Sequence, residues 1–121
     1  MALPSDDSIL LLHNPKCSKS RATLALLEEN GASFETRLYL EDPLGEDELR
    51  ELGKRLGKAV VEYTRTKQAE FADAGLTRDS SEDEIFAAMV KAPILMERPV
   101  VIRGARAAIG RPPEDVLALL G

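Results

Sequence analysis

The 121 residues, 44% of them hydrophobic and 31% charged, suit one domain around one core, and no apolar run approaches the roughly 20 residues of a membrane span. A formal charge of −5 tells against a broad nucleic-acid-binding face. One cysteine and one histidine exclude an internal disulfide and a structural zinc site, so redox chemistry at that thiol needs a second sulfur from another molecule.

Residues 1–7 are short and acidic, which reads as a flexible tail rather than a secretory leader and places the chain in the cytoplasm, with residues 8–121 as the single domain. Ile9-Leu10-Leu11-Leu12 does not alternate, as expected of a strand covered on both faces. Pro15 has no N–H and biases Asn14 away from helical angles, so the strand ends here. A helix carrying Leu24 and Leu27 follows over Ser18–Glu29 and stops at Asn30-Gly31. Ser33–Leu40 reads as a second strand with Phe34, Leu38 and Leu40 on one face, and the short links predict a right-handed parallel βαβ unit.

Asp42–Gly45 is a turn. Glu46–Leu56 has early acids, late cations, and Leu49, Leu52 and Leu56 at helical spacing. One or two short helices are expected over Val60–Ala74. A capping-box pattern at Ser81-Glu82-Asp83-Glu84 opens a helix to about Lys91, whose apolar face is Ile85, Phe86, Met89 and Val90. Pro99–Ile102 is strand-like, Arg103–Arg106 turns, and Ala107–Ile109 pairs back as a hairpin. Pro112 and Pro113 then sit in the first turn of a last helix through Leu120. The order predicts an α/β fold, a four-stranded mixed sheet with helices on both faces and a helical insertion between strands two and three.

Cys17 thus lies at a helix N-terminus, where free amide N–H groups and the helix dipole favour an anion. Lys16, Lys19 and Arg21 flank it, the setting of a reactive thiol.

The segment His13-Asn14-Pro15-x-Cys17-x-x-Ser20-Arg21 resembles the single-cysteine, glutaredoxin-dependent arsenate reductase family, which has a thioredoxin-like fold. Tyr39-Leu40-Glu41, Arg65, Gly75-Leu76, Glu97-Arg98-Pro99-Val100 and Gly110-Arg111-Pro112 extend the resemblance over nearly the whole chain. The resemblance implies Cys17 as nucleophile with His13 near it, and Arg65, Arg98 and Arg111 as oxyanion-binding arginines. Pro99 matches a proline that usually follows a cis peptide bond, and Asn14 and Ser20 are structural residues at the site. Glutathione and glutaredoxin are the implied external reductants of an arsenate-like oxyanion, with no bound cofactor or metal, no membrane and no direct nucleic-acid contact. Ser18-Lys19 departs from the glycine and threonine of the best-known members.

Guanidinium groups meet a tetrahedral oxyanion with paired donors that keep their charge near neutrality. Thiol acidity alone contributes little. Lowering a thiol pKa by about two units raises the thiolate at pH 7 roughly 25-fold, but the accompanying loss of nucleophilicity leaves a net gain of about threefold. Positioning and transition-state charge stabilisation must supply the rest. His13 has two readings, a donor that favours the thiolate or a cap on the strand end. Two other functions fit the chain: a regulator of the same fold that binds RNA polymerase, and a glutathione-linked thiol oxidoreductase with another substrate.

Overall fold

A computed structural model describes residues 3–4 and 6–120. Its helices and strands are β1 (Ile9–His13), α1 (Ser18–Glu29), β2 (Phe34–Leu38), α2 (Glu46–Leu56), α3 (Ala69–Asp73), α4 (Glu82–Lys91), β3 (Val100–Arg103) and β4 (Arg106–Ile109). Short 3-10 helices span Val60–Tyr63, Pro93–Leu95 and Pro113–Leu119. The strands form one mixed sheet in the order β2-β1-β3-β4, with β1 parallel to β2, and β3 antiparallel to both β1 and β4.

The unbroken apolar run of β1 is explained by its central place. Ile9 and Leu11 face one layer, formed by α1 and the last 3-10 helix, where they meet Leu27, Val101, Val116 and Leu119. Leu10 and Leu12 face the other, with Leu49, Leu52, Ile85, Phe86, Val100 and Ile102. Leu11 and Leu12 have no solvent exposure, and burial of each such side chain contributes about 1.5–3 kcal/mol. Among the inserted helices, Tyr63 lies across α2 and donates its hydroxyl to the Leu49 carbonyl at 3.0 Å. Gly53 makes room for it, since a Cβ there would stand 2.6 Å from the Tyr63 oxygen.

The mixed sheet with helices on both faces and the inserted helices agree with the expected thioredoxin-like arrangement. Three local expectations fail. The second strand ends at Leu38, and its inward residues are not the expected leucines: Leu38 and Leu40 are 37% and 40% exposed, whereas Arg37 and Tyr39 are buried. As an edge strand, β2 fills its inward face with the Arg37 stem, whose guanidinium reaches Glu48 of α2 at 2.7 Å. Val90 is exposed rather than on the packed face of α4. The last helix is 3-10 rather than α and begins at Pro113, with Pro112 preceding it as the cap. In the segment read as a tail, Leu3 is buried in the core, the Pro4 carbonyl accepts from Arg55, and Asp7 pairs with Arg103 at 3.0 Å. The rest of that expected tail, residues 1, 2 and 5, lies outside the described residues.

Candidate active site

Strand register brings distant parts of the chain to one end of the sheet. Leu12 pairs with Val100, and Val100 pairs with Ile109, so His13-Asn14, Arg98-Pro99 and Gly110-Arg111 emerge side by side. The Gly110 N–H donates to the Pro99 carbonyl at 2.9 Å, and both Arg98-Pro99 and Arg111-Pro112 are cis peptides. A Cβ on Gly110 would stand 2.6 Å from Thr23 Oγ1 and 2.8 Å from Pro99 Cγ, so the strand end packs against α1 only because this residue is glycine. Arg65 arrives through two loops that pair: its N–H donates to Leu95 O at 2.7 Å, Thr64 bridges Met96, and the Glu97 N–H donates to Tyr63 O at 2.9 Å.

The β1–α1 turn closes with the Cys17 N–H donating to Asn14 O at 3.0 Å, while Asn14 Oδ1 accepts from the Lys16 N–H at 3.1 Å. Cys17 is the N-cap of α1, in extended backbone conformation. Fully buried Ser20 ties the turn to the helix, because its Oγ accepts the Asn14 N–H at 3.0 Å and lies 2.6 Å from His13 Nδ1. Burial, and then Arg21, push the His13 pKa below its ordinary value, which keeps the ring neutral near pH 7. Among the described residues His13 makes its side-chain hydrogen bond with Ser20 and none with Cys17, so its place in the structure is a brace on the turn.

Cys17 is 8% exposed, and burial alone pushes its thiol up. The Ser20 N–H, the Arg98 guanidinium, the Lys19 N–H and Arg111 outweigh burial and hold the thiol below its ordinary value. The guanidiniums that hold the thiol down are those of Arg98 and Arg111 and not the cations flanking Cys17 in sequence, of which Arg21 donates to the Pro15 carbonyl at 2.9 Å. The helix amides expected from sequence do contribute, and the effective guanidiniums come from the segments before β3 and after β4, distant in sequence but at the same end of the sheet.

Of the three arginines expected to bind an oxyanion, Arg98 and Arg111 act on this sulfur, and Arg65 lies within the electrostatic reach of both. Arg111 is fixed by the Arg98 carbonyl at 2.7 Å and the Glu97 carboxylate at 3.2 Å, with its Nη2 at 4.0 Å from Cys17 Sγ. Arg65 donates to Ile94 O at 3.3 Å, and burial followed by Arg98 depresses its pKa, Arg111 adding to the effect. Arg98 Nε and Nη1 are buried and have no hydrogen-bond partner among the described residues. Three guanidiniums against one thiolate and one carboxylate leave a positive centre, the charge balance that suits a multiply charged oxyanion.

Sequence reasoning assigned no role to Tyr39, Glu97 or Thr23. Tyr39 and Glu97 lay inside quoted motifs, but alternation pointed to Leu38 and Leu40 as the inward residues and gave no reason to single out the tyrosine. Thr23 carries no signal besides its place one turn beyond Ser20.

The ArsC family model matches residues 12–119. The uncharacterized protein YfgD of Escherichia coli (strain K12) is 47% identical over 115 residues, 93% of this chain and 97% of that one. A Haemophilus influenzae protein named arsenate reductase is 44% identical over 115 residues, covering 93% and 99% of the two chains. The solved structure of an arsenate reductase from Vibrio cholerae matches with a TM-score of 0.89 at 42% identity, covering 94% of this chain and 98% of that one.

Proposed function

The chain belongs to the ArsC family, and on that premise we propose that it is an arsenate reductase that takes its electrons from glutathione and glutaredoxin. One observation carries the reading: a lone thiol with a lowered pKa at the start of α1, facing Arg98 and Arg111, with Arg65 beside them. The unpartnered N–H groups of Arg98 supply donors for the oxyanion, while Arg111, held by Glu97 and a carbonyl, sets the approach to the sulfur.

In the proposed cycle arsenate binds across the guanidiniums and Cys17 Sγ attacks arsenic. An S–As bond forms, an As–O bond breaks, and the departing oxygen leaves as water after taking up protons. Glutathione then adds its sulfur to the arsenic as a second As–O bond breaks, and that oxygen leaves as water with the thiol's proton and one more taken up. The glutaredoxin thiolate then attacks that sulfur, so arsenic accepts two electrons and the two external sulfurs end as a mixed disulfide. Hydrolysis of the remaining S–As bond releases arsenite and returns the Cys17 thiolate. Because the chain has one cysteine, the disulfide must form outside it. The arginines lower the repulsion between thiolate and oxyanion and meet the charge that develops on oxygen during attack.

The test is NADPH oxidation coupled through glutathione reductase, glutathione and glutaredoxin, with and without arsenate, for the native chain and Cys17→Ser. Arsenate-dependent oxidation lost in the variant is the expected result. A native chain with no arsenate-dependent oxidation would refute the reading.

A further inference from the structure

Tyr39 follows β2 directly and is 1% exposed, and its ring belongs to the core that includes Leu12 and Val100. Its hydroxyl is buried with no partner at hydrogen-bond geometry among the described residues; the neighbouring Asn14 side chain favours the ionised phenol, as a donor to its oxygen does, and so offers its proton no acceptor. Arg98, Cys17 and Arg65 all act electrostatically on this oxygen, which places it in the same cup as the thiol. A buried O–H without an acceptor is costly, and a phenylalanine would fill the same core without that cost. The two orphaned N–H groups of Arg98 belong to the same cup. A phenol and a guanidinium therefore keep buried, unpaired donors in the neighbourhood of the thiol, and the partner they share is an acceptor with several oxygens.

From this geometry we infer that the Tyr39 hydroxyl is a further oxyanion-binding group, donating a hydrogen bond to the tetrahedral anion held by Arg98 in front of Cys17. The inference rests on the proposed reading for the identity of the anion and goes beyond it in adding a neutral donor to a cup otherwise made of guanidiniums. Burial pushes the phenol up to about 12, Cys17 adding to the rise against the opposing arginines. The group therefore stays protonated, and able to donate, throughout the range in which the thiol ionises. An uncharged donor adds a directed bond without further repulsion among the three arginines, which already oppose one another at Arg65.

The experiment compares the native chain with Tyr39→Phe by calorimetric titration with arsenate, phosphate and sulfate, together with thermal unfolding in anion-free buffer. The expected result is an affinity for the tightest-binding of these anions lowered about tenfold, the size of one hydrogen bond to a charged group. The anion-free midpoint stays unchanged or rises, because no protein bond is lost. Unchanged affinity would overturn the inference. So would a lower anion-free midpoint, which would mean that the hydroxyl has a structural partner, or a native chain that binds none of the three anions. A native chain that binds one of them without turning over arsenate sinks the proposed function instead, and the Tyr39 comparison is then read with the anion that binds.

Discussion

Glu48→Ala tests whether the buried pair between β2 and α2 holds the strand end that carries Tyr39. Arg37 and Glu48 are each 7% exposed, joined by Nη1–Oε2 at 2.7 Å and Nη2–Oε1 at 3.1 Å. Glu48 also accepts the Gly45 N–H at 3.2 Å, closing the start of α2. Removing one partner of a buried pair costs about 3–5 kcal/mol, because the other charge is left uncompensated. Arg37 retains the Asp42 and Pro43 carbonyls at 3.0 and 2.9 Å, so the lower end, about 3 kcal/mol, applies. With an unfolding entropy of about 2.1 cal/mol/K per residue, a chain of this length loses roughly 4 °C of midpoint per kcal/mol, or about 12 °C in all. Burial raises the Glu48 pKa, but Arg37 and the Gly45 N–H outweigh it and leave it lowered. Its contribution is therefore present above the ordinary carboxylate range and fades as pH falls through the depressed value, and the variant should lose that part of the acid slope. Urea unfolding at pH 7 and pH 4 measures both effects. A loss below 1 kcal/mol at pH 7 would put the pair among solvent-screened surface bridges and refute the reasoning.

Arg98→Met should raise the midpoint of the pH-dependent alkylation of Cys17, since Arg98 helps hold that thiol down, while Lys16→Met should leave the midpoint in place. Ser20→Ala strands the Asn14 N–H and His13 Nδ1 in a buried turn, and chemical unfolding should show a loss of about 2 kcal/mol. Gly110→Ala drives a methyl against Thr23 and Pro99 and should cost about 1–3 kcal/mol. Thr23→Ala in the same chain should recover part of it, seen as coupling above about 0.5 kcal/mol in a double-mutant cycle.

The end of the strand before Pro15, the N-cap position of Cys17 and the two-faced burial of β1 were legible because each depends on residues within one turn or one strand. Proline geometry, capping and unbroken apolar character act over a few residues and leave a local pattern. The three arginines were legible only through resemblance, since Arg65, Arg98 and Arg111 have no local feature that separates them from Arg103 and Arg106, which bond to Leu119 and Ala118 at the opposite end of the hairpin. The cations beside Cys17 in sequence misled for the same reason: adjacency along the chain does not set distance to a sulfur at a helix end.

By itself the sequence determined the α/β order, the central buried strand and one thiol placed where helix amides favour its anion. Only the tertiary structure decided which guanidiniums reach that thiol, that Tyr39 and not its leucine neighbours turns inward, and that His13 braces Ser20. The His13 contact is made within the β1–α1 turn, whereas the first two outcomes follow from the pairing of β1 with β3 and β3 with β4 and from a buried ion pair at the sheet edge. They are long-range agreements among segments up to about a hundred residues apart, for which the packing of a whole core, and not any local propensity, is the physical cause.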